Sequence, residues 1–321
     1  MQLGLGGMAA IQDQALDFLR QLGVDNLILH VPDLPGEDHW EFRDLLLWRT
    51  RVEAAGLKLA AIENFPTKFY DKIMQGRPGR DEQIENVRTT IRNLGRAGIR
   101  IMGYHFMLNS VWRTEYSPRG RGGARVTIYD HELVKDAPVS AIGEFDDEAI
   151  WANLTYFLKA IIPVAEEEGV VMALHPDDPP VPKIAGIARI IRSVEAYKRL
   201  IEIVPSPSNC LEFCQGTVAE MCSSAEQVYD AIRYFGSRKK IAYVHFRNVS
   251  RCVPKFEETF IDDGFVDMLQ AMRVYKEVGF DGVMIVDHSP ALTGDTPFGH
   301  GGQAYAIGYM KALIKCVNSC C

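Results

Sequence analysis

The chain has 321 residues, of which 47% are apolar and 24% charged, and a formal net charge of −7. That balance suits a large folded enzyme and argues against a basic nucleic-acid groove. No stretch is long and apolar enough to span a bilayer, and the start Met1-Gln2-Leu3-Gly4 lacks the basic residues of a secretion signal. The seven cysteines all lie at or beyond Cys210 without a disulfide framework, so a cytoplasmic protein with reduced thiols is expected, the terminal Cys320-Cys321 pair included.

In chain order, short apolar runs predict strands at residues 3–5, 26–31, 57–62, 99–105, 170–175, 210–213, 241–245 and 283–287. Helical periodicity falls between them, at 13–22, 41–55, 82–97, 147–168, 187–203, 225–235, 265–278 and 304–317. Several of these helices stop at a glycine just before the next strand, as at Gly56, Gly98 and Gly169, where a left-handed residue ends a helix with least strain. Eight strand–helix pairs predict one (β/α)8 TIM barrel over residues 1–321; no glycine-rich phosphate loop follows the first strand, which weakens the doubly wound alternative. The rhythm breaks once, in an insertion at about residues 107–146 after the fourth strand. It carries Ser117-Pro118-Arg119-Gly120-Arg121-Gly122-Gly123 and a possible strand pair at 126–129 and 135–139, and reads either as a lid or subunit contact or as a solvated loop.

Four runs in the second half end on metal-capable side chains: His175, Cys214, His245 and Asp287. In a parallel barrel all four surface at the carboxyl edge, where ligands converge. A lone histidine or cysteine there is ordinarily core, and Cys210 and Cys222 read that way; the joint pattern reverses that reading for the four. Asp287 closes an apolar strand, and a cation would offset its desolvation. By ligand type alone the set favours zinc, iron or cobalt.

These residues stand in segments that resemble the mannonate dehydratases: Leu174-His175-Pro176-Asp177-Asp178-Pro179-Pro180, Glu212-Phe213-Cys214-Gln215-Gly216, Val244-His245-Phe246-Arg247-Asn248-Val249 and Asp287-His288. The resemblance runs from the first strand to the last helix, taking in Glu258-Thr259-Phe260-Ile261-Asp262-Asp263-Gly264 and Ala304-Tyr305-Ala306-Ile307-Gly308. It implies a xylose isomerase-like barrel that holds a divalent metal, usually Mn2+, through His175, Cys214, His245 and Asp287. It also implies a hydro-lyase that removes water from D-mannonate to give 2-keto-3-deoxy-D-gluconate, with proton transfer by His288 and Tyr305. Where that family has Asp-Trp-Thr-Arg after the fourth strand, this chain has Ser110-Val111-Trp112-Arg113-Thr114, so a different aldonic acid is the alternative substrate. A sugar isomerase or epimerase would use the same barrel with carboxylate-rich strand ends.

Substrate contacts are expected from Arg247, whose guanidinium can grip a carboxylate in two places, and from Asp177 and His105. Asp178 and Glu63 also stand near strand ends. His288 adjoins Asp287, so on an ideal strand it would face away from the site, and the strand end must turn there. The expected partner is a small sugar acid, with no nucleic acid or membrane, and the protein is expected to be a homo-oligomer, a dimer or tetramer.

Overall fold

In the computed structural model, which describes residues 1–319, eight parallel strands close into a barrel. They are Gln2–Met8, Asn26–His30, Lys58–Glu63, Ile101–Tyr104, Val171–Leu174, Asn209–Cys214, Ile241–His245 and Val283–Val286, each beside its neighbour in sequence. Closure comes from the first strand pairing with the last, Gln2 opposite Val283 through Leu5 opposite Val286. All eight predicted strands are present, within a few residues at each end. Cys320 and Cys321 lie outside the described residues.

The barrel interior is small and crowded, which explains its glycines. A Cβ at Gly4 would sit 2.6 Å from Val283 Cγ1, and one at Gly6 2.6 Å from Ile285 Cδ1. Ile28, Ala61, Ala173, Tyr243, Val283 and Ile285 fill this inner layer. The main apolar cluster lies outside it, where helices cover the strands. Helix ends follow local chemistry: the Asp146 side chain accepts from Ala149 N at the start of Asp147–Glu168, and Gly169, at φ 63°, ends that helix. Among the described residues no helix is long and apolar enough to cross a membrane.

Two sequence expectations need correction. The helix predicted at 187–203 begins at Val194, because the Ser193 hydroxyl caps it through Ala196 N, while Ile187–Ala188 pairs as a strand with Lys183–Ile184. In the insertion, Val126–Asp130 is a strand, but its partners are Glu115–Ser117 and, from the loop after the seventh barrel strand, Lys255–Glu257. Residues 135–139 form no strand. The insertion is therefore tied by backbone hydrogen bonds to the opposite half of the barrel mouth.

Candidate metal centre and active site

The ends of the fifth, sixth and seventh strands bring His175, Cys214 and His245 together, with donor atoms all within 4.8 Å of one another. Asp287, just past the eighth strand, joins them: its Oδ2 is 3.7 Å from Cys214 Sγ and its Oδ1 3.5 Å from His245 Nδ1.

Both imidazoles are oriented by what their other nitrogen does. His175 Nδ1 lies 2.7 Å from the Pro176 carbonyl oxygen, which can only accept, so this nitrogen carries a proton and Nε2 is the nitrogen turned toward the cluster. His245 Nε2 lies 2.9 Å from Glu63 Oε2 and 3.1 Å from Glu212 Oε1, while its buried Nδ1 has no hydrogen-bond partner. An imidazole anchored through one nitrogen by a carboxylate, with the other aimed at a thiol and a carboxylate, has the arrangement a metal ligand requires.

The electrostatics agree. Burial pushes the Cys214 thiol up, but Arg247 outweighs it, and with the His175 and His245 imidazoles beside it the pKa falls to about 5. Thr217 reinforces the thiolate, its hydroxyl donating at 3.1 Å and its backbone N–H at 3.5 Å. Burial opposes charge on His175, yet Glu212 and Cys214 overcome it and hold that imidazole at about 10. A cation would displace this proton on binding.

Beneath this set lies a second buried group, Glu63, Glu212 and His245, whose donor atoms also lie within 4.8 Å of one another. Burial and the neighbouring Glu63 push Glu212 up to about 8. Glu63 stays well below the usual carboxylate range because His245 and His30 outweigh its burial. The two carboxyls beneath His245 are thus driven in opposite directions, Glu63 toward the ionised form and Glu212 toward the protonated one. Gly103 leaves them room, since a Cβ there would sit 2.6 Å from Glu212 Oε2 and collide with the Tyr243 hydroxyl.

Behind Cys214 and Asp287 is a buried ionic network. Arg247, 1% exposed in its side chain, donates from Nε to Asp287 at 2.8 Å, from one terminal nitrogen to Glu220 at 2.8 Å and from the other to Asp178 at 3.2 Å. The expected clamp on a substrate carboxylate is thus engaged elsewhere: Arg247 does not line the cavity beside His175 and His245. Gly216 permits this position, as a Cβ there would come 2.6 Å from Arg247 Cζ. Arg113, from the insertion, donates to Asp178 at 2.8 Å and to Glu258 at 2.9 Å. Glu258 in turn lies 2.9 Å from His288 Nδ1.

The eighth strand ends at Val286, so Asp287 and His288 are freed from strand alternation and both face the cavity. Burial lowers the His288 pKa, but Asp287 and Glu258 overcome it and raise it to about 9. Asp287 and His288 line both this cavity, of about 270 Å³, and a wider one of about 610 Å³ bordered by Arg125, Asp295 and Phe298.

The other expected residues divide. His105 lines the cavity, whereas Asp177 does not: its carboxylate is buried and accepts from Ile191 N at 2.6 Å, holding a loop. Asp178, its neighbour, lines the cavity instead. Tyr305 is 41% exposed and accepts a hydrogen bond from Arg121 at 3.2 Å; it shares a small cleft with His288 but does not line the cavity of the ligand set. Glu212, Glu258, Glu220 and Arg113 were missed by sequence reasoning. Glu212 could have been found, since two residues before Cys214 on a strand is the same face. For Arg113 and Glu258, 145 residues apart, no local signal pairs them.

A closed (β/α)8 barrel with a polar cluster at the carboxyl edge of its strands is an architecture of the xylose isomerase-like class. A xylose isomerase domain protein from Planctomyces limnophilus shares this fold at a TM-score of 0.62 and 12% identity, over 99% of this chain and 98% of that one. More specifically, the sequence model of the D-mannonate dehydratase (UxuA) family matches residues 7–144 and 139–320. The mannonate dehydratase of Thermotoga maritima is 31% identical over 349 aligned residues, covering 95% of this chain and 96% of that protein. The crystal structure of mannonate dehydratase from Streptococcus suis serotype 2 matches at a TM-score of 0.88 and 30% identity, covering 99% of this chain and 93% of that one. This chain belongs to the D-mannonate dehydratase family.

Proposed function

We propose that this protein dehydrates a sugar acid, D-mannonate in the first place, at a divalent cation held by His175 Nε2, Cys214 Sγ, His245 Nδ1 and Asp287. The observation that carries this reading is geometric: the buried His245 Nδ1, which makes no hydrogen bond, converges with His175 and Cys214 donor atoms within 4.8 Å and stands 3.5 Å from Asp287 Oδ1. Manganese is the proposed ion by resemblance, and Fe2+, Co2+ and Zn2+ are the alternatives that the donor chemistry favours.

The chemistry a bound cation supplies here is stabilisation of negative charge on the substrate as the proton alpha to its carboxylate is removed. The chain supplies the rest. Glu258 anchors His288 through Nδ1, and Nε2, 3.4 Å from Asp287 Oδ1, is the atom that exchanges a proton with substrate in this proposal. Tyr305 is the second proton-transfer group in this proposal, and to act it must release its hydroxyl from Arg121. A buried thiolate among the ligands suits a reducing, cytoplasmic setting. A dimer or tetramer is proposed as well, with exposed Leu133 and Val139 of the insertion as the first surface to examine.

The test is metal analysis beside steady-state dehydration of D-mannonate. Wild type should hold about one ion per chain and lose activity to chelators, and His245→Ala should lose both ion and activity. His288→Asn should keep the ion and lose roughly a hundredfold to ten-thousandfold in turnover. Full metal content in His245→Ala would refute the ligand set.

A further inference from the structure

We infer that His30, Asn64 and His105 form a subsite for the hydroxyl-bearing tail of the acid and decide which sugar acid is accepted. The inference rests on the reading of the site as a sugar-acid dehydratase, and it concerns the half of the cavity that the ligand set does not use. The barrel divides the work by strand. The ligand set comes from the ends of the fifth to eighth strands, while His30 ends the second, Asn64 follows the third and His105 follows the fourth.

Asn64 is the most telling of the three. It is 91% buried, its Oδ1 has no hydrogen-bond partner, and it lines the cavity. An unmade hydrogen bond on a buried amide is costly, and a ligand hydroxyl would satisfy it. Its position is enforced: the backbone N–H donates to Gly103 O at 2.8 Å and φ is 66°. Among the described residues five non-glycine residues have positive φ, and three of them, Val31, Asn64 and Ser110, line this one cavity. A β-branched Val31 at φ 39° is unfavourable unless its surroundings impose it.

His105 contributes the opposite polarity. Its Nδ1 accepts from Met107 N at 3.2 Å, so the neutral ring carries its proton on Nε2, where the nearest partner is the Tyr70 hydroxyl at a long 3.4 Å. His30 is held by Glu63 at 2.8 Å through Nδ1, which leaves Nε2 for ligand or solvent. An amide oxygen, an N–H donor and a second imidazole nitrogen form a mixed set of donors and acceptors, as hydroxyls require. No lysine or arginine lines the cavity, so a phosphate or second carboxylate on the tail has no counter-charge at this wall. Val31, Phe65, Met107 and Val111 give it apolar surface for C–H groups. The ligand class is an unphosphorylated monocarboxylic aldonic acid with a polyol tail.

The test uses metal-loaded protein and two probes, D-mannonate and the four-carbon erythronate, which lacks the last two hydroxyl-bearing carbons of the tail. Asn64→Gly is the variant, because glycine accepts the positive φ. It should raise the KM for D-mannonate roughly tenfold, the worth of one hydrogen bond, with a much smaller change in kcat and the same metal content. By calorimetry in the His288→Asn background, Asn64→Gly should weaken D-mannonate and leave erythronate affinity as it was. His105→Ala should show the same length dependence. Equal losses for both acids would overturn the inference, as would a length-dependent loss from Arg125→Ala in the wider cavity with none from Asn64→Gly. If wild type binds D-mannonate with this Asn64 dependence but dehydrates no aldonic acid, the subsite stands and the proposed reaction falls. If it binds no acid, both fall.

Discussion

Replacing Arg247 by methionine would test whether the ionic network holds the site or the substrate. The guanidinium is 1% exposed and meets Asp287, Glu220 and Asp178 at 2.8, 2.8 and 3.2 Å. Methionine fills a similar path but leaves those carboxylates without their shared cation. Removing one partner from a buried ionic cluster costs about 3–5 kcal/mol. In a chain of this size each kcal/mol moves Tm by roughly 2 °C, so the expected fall is about 6–10 °C. Metal occupancy should drop as well, because Asp287 and Cys214 both lean on this side chain. The assay is thermal unfolding followed by circular dichroism near neutral pH, with metal analysis of the same samples. Arg247→Lys should fall between the two, since a single ammonium cannot serve four carboxylates as a fork does. A Tm within about 1 °C of wild type together with a raised KM would refute the reasoning and restore Arg247 as a substrate clamp.

Gly103→Ala should destabilise by about 1–3 kcal/mol through overpacking against Tyr243 and Glu212, and should weaken metal binding because both stand beneath His245. An unchanged metal affinity in a titration would show that this layer does not position the ligand. His105 tests pH dependence: burial first of all lowers its pKa from 6.5 to about 3, so between those values the unfolded chain takes up a proton that the folded chain refuses. Stability from this group is complete above 6.5 and is lost as pH falls toward 3. Wild type should therefore lose roughly 1–3 kcal/mol more than His105→Gln between pH 7 and 4, less than the full shift because the ring borders a cavity; parallel denaturation curves would contradict it. Arg121→Ala should free the Tyr305 hydroxyl and change turnover with metal content unchanged, and identical kinetics would leave the insertion without a part in catalysis.

The barrel and the convergence of His175, Cys214, His245 and Asp287 were legible in the sequence for one physical reason. A parallel barrel places the last residue of every strand at the same rim, so four apolar runs each ending on a ligand residue specify a cluster without knowledge of any long-range contact. Strand alternation by itself would turn His288 away, so its place in the site required the strand end to turn; the strand stops at Val286, and Glu258 from another loop lies 2.9 Å from the imidazole Nδ1. What only the tertiary structure decided are the pairings that barrel closure makes between distant residues. Glu63 meets His245 across 182 residues and sets which nitrogen is free, and Arg113 meets Glu258 across 145. Arg247 looked available from its position two residues past His245, and its engagement by four acids, Asp178, Glu220, Glu258 and Asp287, follows from the packing of other elements. Local propensity acts over a few residues and fixes elements and rims; the charge state and direction of each buried side chain depend on partners that only the closed barrel brings within reach.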